Sequence, residues 1–168
     1  MVDTQPFLQF ETVRLYGPVF YMPRYTAASY QRLTIQEKEI LVPPHTFLLI
    51  NNAALHILPS YWGSDSSVWR PSRWLDAKEN LLQPPPGMYN PWTAGPRVCP
   101  GKKFSQVEFI AVIARLFKDA RVRPKLEAGE KWEDAVRKVK EVVEDSELGV
   151  TLHMVHPERA QLIWETLV

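Results

Sequence analysis

The stretch Pro91–Gly101, PWTAGPRVCPG, is the most informative part of the chain, because it holds the only cysteine among 168 residues. Apolar side chains then recur at helical spacing, which predicts a helix from about Lys103 to Lys118. Cys99 therefore lies in a loop at a predicted helix N-terminus, where unpaired amides and the helix dipole stabilise an anion. We interpret its sulfur as a candidate thiolate ligand.

Three neighbours of Cys99 fit this interpretation. Arg97 adds a positive charge, and Gly95 and Gly101 let the backbone turn closely around whatever the sulfur holds. A buried structural cysteine is the alternative, and it is the more common state of a lone cysteine. The loop residues taken by themselves leave both interpretations open.

Composition limits the classes of function. An apolar fraction of 45%, with 6 Trp, 7 Phe and 6 Tyr, is enough for one domain with a core. A net charge of +1 gives no electrostatic footprint for nucleic acid, so we expect no nucleic-acid partner. One cysteine excludes an internal disulfide and indicates a reducing compartment. No apolar run approaches the ~20 residues that a membrane span needs.

The four histidines do not have the spacing of a metal site. His153 and His156 are three residues apart in a predicted strand, so their side chains face opposite sides. His45 lies in a proline turn, and His56 is available for a hydrogen bond within the segment that follows it. No His or Asn motif accompanies Cys99, which argues against a cysteine hydrolase.

The patterning predicts an α+β fold with two to three helices. A first helix, capped by Asp3 or Thr4, ends at Tyr16-Gly17-Pro18, and a later amphipathic helix includes Trp132 to Val143. Residues 58–91 are rich in proline and tryptophan, which predicts an ordered aromatic meander. The remaining apolar stretches predict a small antiparallel sheet (Arg32–Ile35, Ile40–Val42, Thr46–Ile50) and a closing hairpin (Val150–His156 with Ala160–Trp164).

Three spaced motifs resemble the cytochrome P-450 superfamily of haem-thiolate monooxygenases. Gly95–Gly101 resembles the Gly-x-Arg-x-Cys-x-Gly haem loop, and Glu11–Arg14 resembles the Glu-x-x-Arg of the family's conserved helix. Trp69–Trp74 resembles its Phe-x-Pro-x-Arg-Phe element, and the three motifs occur in the family's order. This chain differs in having tryptophan at 69, 74 and 92, where the family has phenylalanine.

The resemblance implies haem b as cofactor, with Cys99 as the axial ligand of its iron. It implies that Arg24 and Arg97 hold the haem propionates and that Trp92 sits beside the thiolate, where it could tune hydrogen bonding or redox potential. The residues implied to bind the cofactor are Arg24, Trp92, Gly95, Arg97, Cys99 and Gly101, and no residue is singled out as catalytic.

The Glu11/Arg14 pair has a mechanical interpretation. Residues three apart share a helical face, so the carboxylate and guanidinium can bond directly. Arg73, arriving from the meander, can share Glu11 in a fork geometry and form a buried structural triad. A Glu-x-x-Arg sequence without further context is more often an exposed helix pair.

The resemblance also implies residues that face the substrate. They are Val19, Phe20, Tyr21 and Met22, after the first helix, and Gly149 in the turn that follows Ser146. The alternative is that all of them are ordinary core and hairpin residues.

By resemblance, residues 1–168 are the C-terminal haem-binding part of a mainly helical P-450 domain, without its N-terminal helices and its oxygen-activating helix. The implied activity is insertion of one oxygen atom of O2 into a small organic substrate, with electrons from NADPH through a reductase. We expect the isolated chain to be inactive. A non-catalytic remnant with weak or no haem binding is the alternative. A full-length relative is expected to face the cytoplasm at the endoplasmic reticulum membrane through an N-terminal anchor.

Overall fold

The structure is a computed structural model that describes residues 6–35, 37–149 and 151–167. The predicted caps Asp3 and Thr4, and Val150 of the predicted hairpin, lie outside the described residues. The described chain is α+β, with few helices and several small antiparallel sheets. Its α-helices are α1 (Pro6–Tyr16), α2 (Asn52–Ile57), α3 (Pro59–Trp62), α4 (Lys102–Leu116) and α5 (Trp132–Glu144).

The strands form four antiparallel pairs within the described residues. They are β1 (Tyr21–Tyr25) with β4 (Phe47–Asn51), β2 (Gln31–Ile35) with β3 (Lys38–Val42), β5 (Ala120–Pro124) with β8 (Leu162–Thr166), and β6 (Ser146–Leu148) with β7 (Leu152–Met154). Short 3-10 turns occur at Pro71–Trp74, Gly95–Arg97 and Pro157–Arg159.

The helices follow the local sequence pattern. The first helix ends at Tyr16, before the Gly17-Pro18 pair that stops it, and the helix after the cysteine loop begins at Lys102 and ends at Leu116. The helix that starts at Trp132 ends at Glu144. The two short helices α2 and α3 are additional to the two or three predicted, and α2 is capped by the Asn51 side chain, which accepts from the Ala54 N–H at 3.0 Å.

The predicted closing hairpin is wrong. The strand Leu152–Met154 pairs with the strand that precedes it in the chain, Ser146–Leu148. The strand Leu162–Thr166 pairs with the distant strand Ala120–Pro124. The 3-10 turn at Pro157–Arg159 separates the two segments, because proline lacks an N–H for a strand ladder. The long-range pairing also joins Glu165 to the guanidinium of Arg121 at 2.8 Å.

The predicted single small sheet is also corrected. The segment around Phe47–Asn51 does not join the β2–β3 hairpin but pairs with Tyr21–Tyr25, a strand that the sequence pattern did not indicate. Pro23 lies inside this strand, which is tolerated because a two-stranded ladder consists of edges only. This pairing places residues 21–25, which follow α1, against residues 47–51, which precede α2.

A cluster of aromatic side chains lies between α1 and the meander. Trp74 is 2% exposed, and its ring centroid lies 5.3 Å from Phe10, 5.4 Å from Trp62 and 4.8 Å from Tyr89. Trp92 extends this aromatic cluster, with its centroid 6.1 Å from that of Tyr89. Edge-to-face and tilted contacts of this kind add to the burial of apolar area.

Helix α4 has a different environment from the aromatic cluster. No residue of this helix is buried, and Phe104 and Val107 are 70% and 66% exposed. None of the described helices is both long enough and apolar enough to cross a bilayer.

We expect Trp74→Ala to lower the free energy of unfolding by about 3–5 kcal/mol, because it removes the central ring of the cluster and leaves a cavity. Urea unfolding followed by circular dichroism measures the change. Trp69→Ala is the matched control, since Trp69 is 48% exposed, and it should cost less than about 1 kcal/mol. Equal losses in the two variants would contradict the central role of Trp74.

Candidate functional site

The loop that carries Cys99 closes on itself through backbone hydrogen bonds. The Cys99 N–H donates to the Trp92 carbonyl oxygen at 2.9 Å, and the Lys102 N–H donates to the Cys99 carbonyl oxygen at 3.2 Å. Gly95 lies in the left-handed region at a φ of 75°, where glycine carries no strain, and it starts the 3-10 turn inside the loop. Cys99 itself is half-buried, at the entrance to α4.

Gly101 leaves room beside the sulfur. A Cβ atom at Gly101 would lie 3.7 Å from Cys99 Sγ, which is ordinary contact distance, so a side chain there would occupy the space next to the sulfur. The described residues contain no cluster of three or more His, Cys, Asp or Glu that would hold a metal without another partner. A single half-buried thiol beside a glycine suits a metal that brings its own remaining ligands, as the iron of a haem does.

Trp92 uses its indole N–H on helix α4. The Nε1–H donates to Ser105 Oγ at 3.0 Å, and the Ser105 hydroxyl donates in turn to the Lys102 carbonyl oxygen at 2.9 Å. The Lys102 ammonium lies 5.7 Å from the Trp92 ring centroid. The indole therefore contacts the first turn of α4, and its N–H is bonded to Ser105. Sequence reasoning missed Ser105, whose only signal is a hydroxyl in the first turn of a helix.

Arg24 and Arg97 are both exposed, on β1 and on the 3-10 turn before Cys99. Arg24 Nη1 donates to the carbonyl oxygen of Pro23 at 2.9 Å, and the Arg97 carbonyl oxygen accepts from Thr93 Oγ1 at 3.2 Å. Within residues 6–35, 37–149 and 151–167, neither guanidinium forms an ion pair with a carboxylate. Both remain available to an external carboxylate.

The structure brings Glu11, Arg14 and Arg73 together in the interior. Glu11 Oε2 and Oε1 accept from Arg14 Nε and Nη2, each at 2.8 Å, and Oε1 also accepts from Arg73 Nε at 2.9 Å. Two donors that the sequence did not indicate complete the site: the Arg70 N–H, 2.8 Å from Oε1, and the Trp74 indole, 2.9 Å from Oε2. The carboxylate thus accepts five hydrogen bonds while Glu11 is 0% exposed.

These donors set the protonation state of Glu11. Burial raises the pKa of the carboxyl group, but the hydrogen bonds from Arg14, from the Arg70 backbone, and from Arg73 and Trp74 outweigh burial and hold the pKa below its ordinary value. Glu11 is therefore an anion at neutral pH, matched by two guanidinium cations.

Arg14 connects this carboxylate to the chain beyond α2. Its Nη1 donates to the carbonyl oxygens of His56 at 2.6 Å and Ser66 at 2.5 Å. Its guanidinium carbon lies 5.0 Å from the ring centroid of Trp62, a cation–π contact. The guanidinium of Arg14 thus contacts three parts of the chain: His56 in α2, Trp62 in α3 and Ser66 after α3.

His56 and Tyr89 lie between this network and the cysteine loop. His56 is 3% exposed, its Nε2 accepts from the Asn90 N–H at 3.2 Å, and its ring centroid lies 5.3 Å from that of Tyr89. Tyr89 donates its hydroxyl to the Phe10 carbonyl oxygen at 3.1 Å, and burial raises its pKa far above the ordinary value. The expected hydrogen bond of His56 to the meander is present, although His56 itself lies in α2.

The residues implied to face the substrate divide into exposed and buried groups. Val19 and Tyr21 are exposed, Phe20 is half-buried, and Met22 is buried in the core. Gly149 is exposed in the turn between β6 and β7, and the Leu152 N–H beside it donates to the Pro18 carbonyl oxygen at 3.3 Å. The structure therefore brings the turn at Gly149 next to the segment that begins at Val19.

A cavity of about 710 Å³ opens beside Trp92. Phe10, Trp74, Tyr89 and Trp92 line it, together with the first turns of α4. Cys99 is not among its lining residues.

We expect Glu11→Ala to lower the free energy of unfolding by about 3–5 kcal/mol, because it leaves Arg14 and Arg73 buried without their anion. Chemical unfolding measures the loss. Glu133→Ala, on the exposed side of α5, is the control and should change stability by about 0.5 kcal/mol or less. A well-folded Glu11→Ala variant with unchanged stability would refute the role of the shared carboxylate.

Comparison with known proteins identifies the family. The sequence model of the cytochrome P-450 family matches residues 10–140. A cytochrome P-450 monooxygenase of the phomenoic acid biosynthesis cluster of Leptosphaeria maculans is 33% identical over 146 aligned positions, which cover 76% of this chain and 25% of that protein.

Two further relatives cover nearly all of the chain. A cytochrome P-450 monooxygenase of Arthrobotrys oligospora is 28% identical over 97% of this chain and 31% of its own length. Cytochrome P-450 monooxygenase 124 of Postia placenta is 32% identical over 92% of this chain and 29% of its own length. The chain thus spans between a quarter and a third of the length of these curated relatives. Since the family match covers more than half of the 168 residues, the chain belongs to the cytochrome P-450 family of haem-containing oxidoreductases.

Proposed function

We propose that this chain is the C-terminal haem-binding part of a cytochrome P-450 monooxygenase domain, with Cys99 as the axial ligand of haem b. The observation that carries the proposal is the loop around Cys99, which is closed by the 2.9 Å bond from the Cys99 N–H to Trp92 and leaves the space beside Sγ free of a side chain at Gly101. The share of the relatives' length that the chain spans supports the assignment of residues 1–168 to one part of such a domain.

The residues near Cys99 have distinct roles in this proposal. Cys99 binds the iron through its Sγ, which lies just before the N-terminus of α4. Gly95 and Gly101 allow close approach of a flat macrocycle to the loop. Trp92 bonds to Ser105 of α4 through its indole N–H and to the Cys99 N–H through its carbonyl oxygen, and its proposed role is to tune the environment of the thiolate.

Arg24 and Arg97 bind the propionates. Both guanidinium groups are exposed and have no carboxylate partner among the described residues, so they are free to form charge-assisted hydrogen bonds. A bidentate guanidinium suits a carboxylate held in a partly dry site. Two such arginines match the two propionate carboxylates that one haem carries.

Thiolate ligation supplies a haem with the electron density that favours cleavage of the O–O bond of O2. The substrate is a small organic molecule, and the residues that contact it are Val19, Phe20 and Tyr21, with the turn at Gly149. The 3.3 Å bond between Leu152 and Pro18 supports this grouping, because it joins the two segments. Met22 belongs to β1 and contributes by packing, since its side chain is buried.

Electrons come from NADPH through a reductase partner, and one oxygen atom of O2 enters the substrate. Attachment to a membrane, at the cytoplasmic face of the endoplasmic reticulum, involves an N-terminal anchor that the relatives' greater length can accommodate.

One observation favours a second candidate function, that of a non-catalytic remnant which holds haem weakly or not at all. Helix α4 has no buried residue, and Phe104 and Val107 expose most of their surface. A helix that carries the ligand loop but buries none of its side chains holds that loop less rigidly. Haem affinity of the chain distinguishes the two candidates.

Reconstitution with haem tests the ligand assignment. We expect the carbon-monoxide difference band typical of thiolate ligation in the wild-type chain and its loss in Cys99→Ser, because a hydroxyl does not supply a thiolate. Val98→Ala, at the exposed neighbour, is the control and should keep the band. A thiolate band that persists in Cys99→Ser would show that the assignment is wrong, and a wild-type chain that binds no haem would favour the remnant.

We expect the isolated chain not to oxidise substrate at a meaningful rate, because the apolar face of α4 is exposed and favours association or loose packing. Incubation with haem, a reductase and NADPH should give aggregation or oxygen consumption without coupled product. The double variant Phe104→Gln/Val107→Gln should reduce association in light scattering. Coupled product formation comparable to that of an intact relative would contradict this prediction.

A further inference from the structure

The buried residue His56 lies between the hydrogen-bond network of Glu11 and the loop that carries Cys99. His56 lies in α2 and is 3% exposed, and its imidazole is not one of the residues implied to bind the cofactor or substrate. A buried imidazole in this position needs partners for its polar atoms. Its contacts run in two directions, towards Glu11 and towards Cys99.

On the first side, α1 holds His56 through Arg14. Arg14 Nη1 donates to the His56 carbonyl oxygen at 2.6 Å, while the same guanidinium is fixed by Glu11 at 2.8 Å. The backbone of His56 is therefore attached to α1 through the side chain of Arg14.

On the second side, α2 holds the backbone of Asn90. His56 Nε2 accepts from the Asn90 N–H at 3.2 Å, and Asn52 Nδ2 donates to the Asn90 carbonyl oxygen at 3.4 Å. Asn90 is followed by Pro91, whose φ is fixed by its ring, and then by Trp92. The Trp92 carbonyl oxygen accepts from the Cys99 N–H at 2.9 Å.

We propose that His56 is a positioning residue for the Cys99 loop: as a neutral acceptor for the Asn90 N–H, it fixes the backbone from which Trp92 and the Cys99 amide are held. The inference rests on the proposed function for the ligand role of Cys99. His56 acts through Asn90 and Trp92 and does not itself touch the sulfur.

The role requires a neutral imidazole. A protonated Nε2 would present an N–H to the N–H of Asn90, and two donors cannot bond to each other. The charged and titratable groups that face His56 are Arg14 on α1, with Glu11 behind it, and Tyr89 on the meander. Burial lowers the pKa of His56 to about 4, the Arg14 backbone contact opposes this, and the positive charge of Arg14 adds to it.

Two substitutions separate positioning from space filling. His56→Gln keeps an acceptor that can reach the Asn90 N–H, whereas His56→Leu fills space without one. In the full chain, we expect hydrogen exchange at the Asn90 amide to be up to about tenfold faster in His56→Leu than in the wild type, the factor for one hydrogen bond, and near wild type in His56→Gln. His153→Leu, at an exposed histidine of β7, is the matched control and should change nothing.

Alkylation of Cys99 reports whether the effect reaches the loop. The chain has one cysteine, so a thiol reagent labels one site. We expect faster labelling in His56→Leu and a wild-type rate in His56→Gln, because only the former releases Asn90. Equal exchange at Asn90 and equal labelling in the wild type and His56→Leu would overturn the proposal.

The pH dependence of the wild type provides a second measurement that needs no substitution. The folded pKa of His56 lies below the unfolded value of about 6.5, so the unfolded chain binds the proton first as pH falls. Stability from the neutral ring is complete above pH 6.5 and is lost progressively down to about pH 4. Protection of the Asn90 amide should fall in that window in the wild type and not in His56→Gln. A wild-type profile identical to that of His56→Gln would overturn the proposal.

The amide of Val122, which lies in the β5–β8 pair, distinguishes local from global effects. If His56→Leu loses protection at Val122 as well, the Gln variant and the wild-type pH series decide the question. None of these measurements needs haem. A wild-type chain without a thiolate band therefore defeats the proposed function alone, whereas unchanged Asn90 protection defeats the positioning role alone.

Discussion

The carboxylate of Glu11 is the constraint on which the rest of the described structure depends. A charge with no exposure would cost several kcal/mol without partners, and here its five donors come from α1 and from residues 70, 73 and 74. Sequence separations of about sixty residues are thereby closed at two oxygen atoms. The meander cannot move relative to α1 without leaving a buried charge unpaired, so its path is fixed even where it lacks regular secondary structure.

That constraint reaches the cysteine loop by two routes. The polar route runs from Arg14 through His56 and Asn90 to the Trp92 carbonyl oxygen, which accepts from Cys99. The apolar route runs through Trp74, whose indole donates to Glu11 while its ring packs against Tyr89, 4.8 Å away between centroids. The first route fixes the direction of backbone groups, and the second excludes water around them. The loop is thus constrained by hydrogen bonds and by aromatic packing together.

The sequence predicts the features that depend on neighbours in the chain better than those that depend on contacts between distant segments. The end of α1 at Tyr16 and the helix after Cys99 depend on neighbours within a few residues, and local pattern located them. The pairing of β8 with β5, and the donors from Arg70 and Trp74 to Glu11, depend on segments that meet only in the folded chain. The motif Glu-x-x-Arg indicated the anion and one cation but not a backbone N–H or an indole. The sequence indicated a hydrogen bond for His56 but not its burial, because burial is a tertiary property.

The two parts of the site, Glu11 with its partners and the Cys99 loop with α4, are held by different kinds of interaction. Glu11 and its partners are enclosed by the described residues, whereas α4, which begins just after Cys99, buries none of its side chains. Its attachment includes the carbonyl oxygen and hydroxyl of Ser105, which accept from Gln9 Nε2 and Trp92 Nε1, each at 3.0 Å. Hydrogen bonds of this kind fix direction and register but supply little of the free energy that apolar burial supplies. The loop therefore takes its geometry from α1 and the meander. The apolar face of α4 is exposed in a chain that spans less than a third of the length of these relatives.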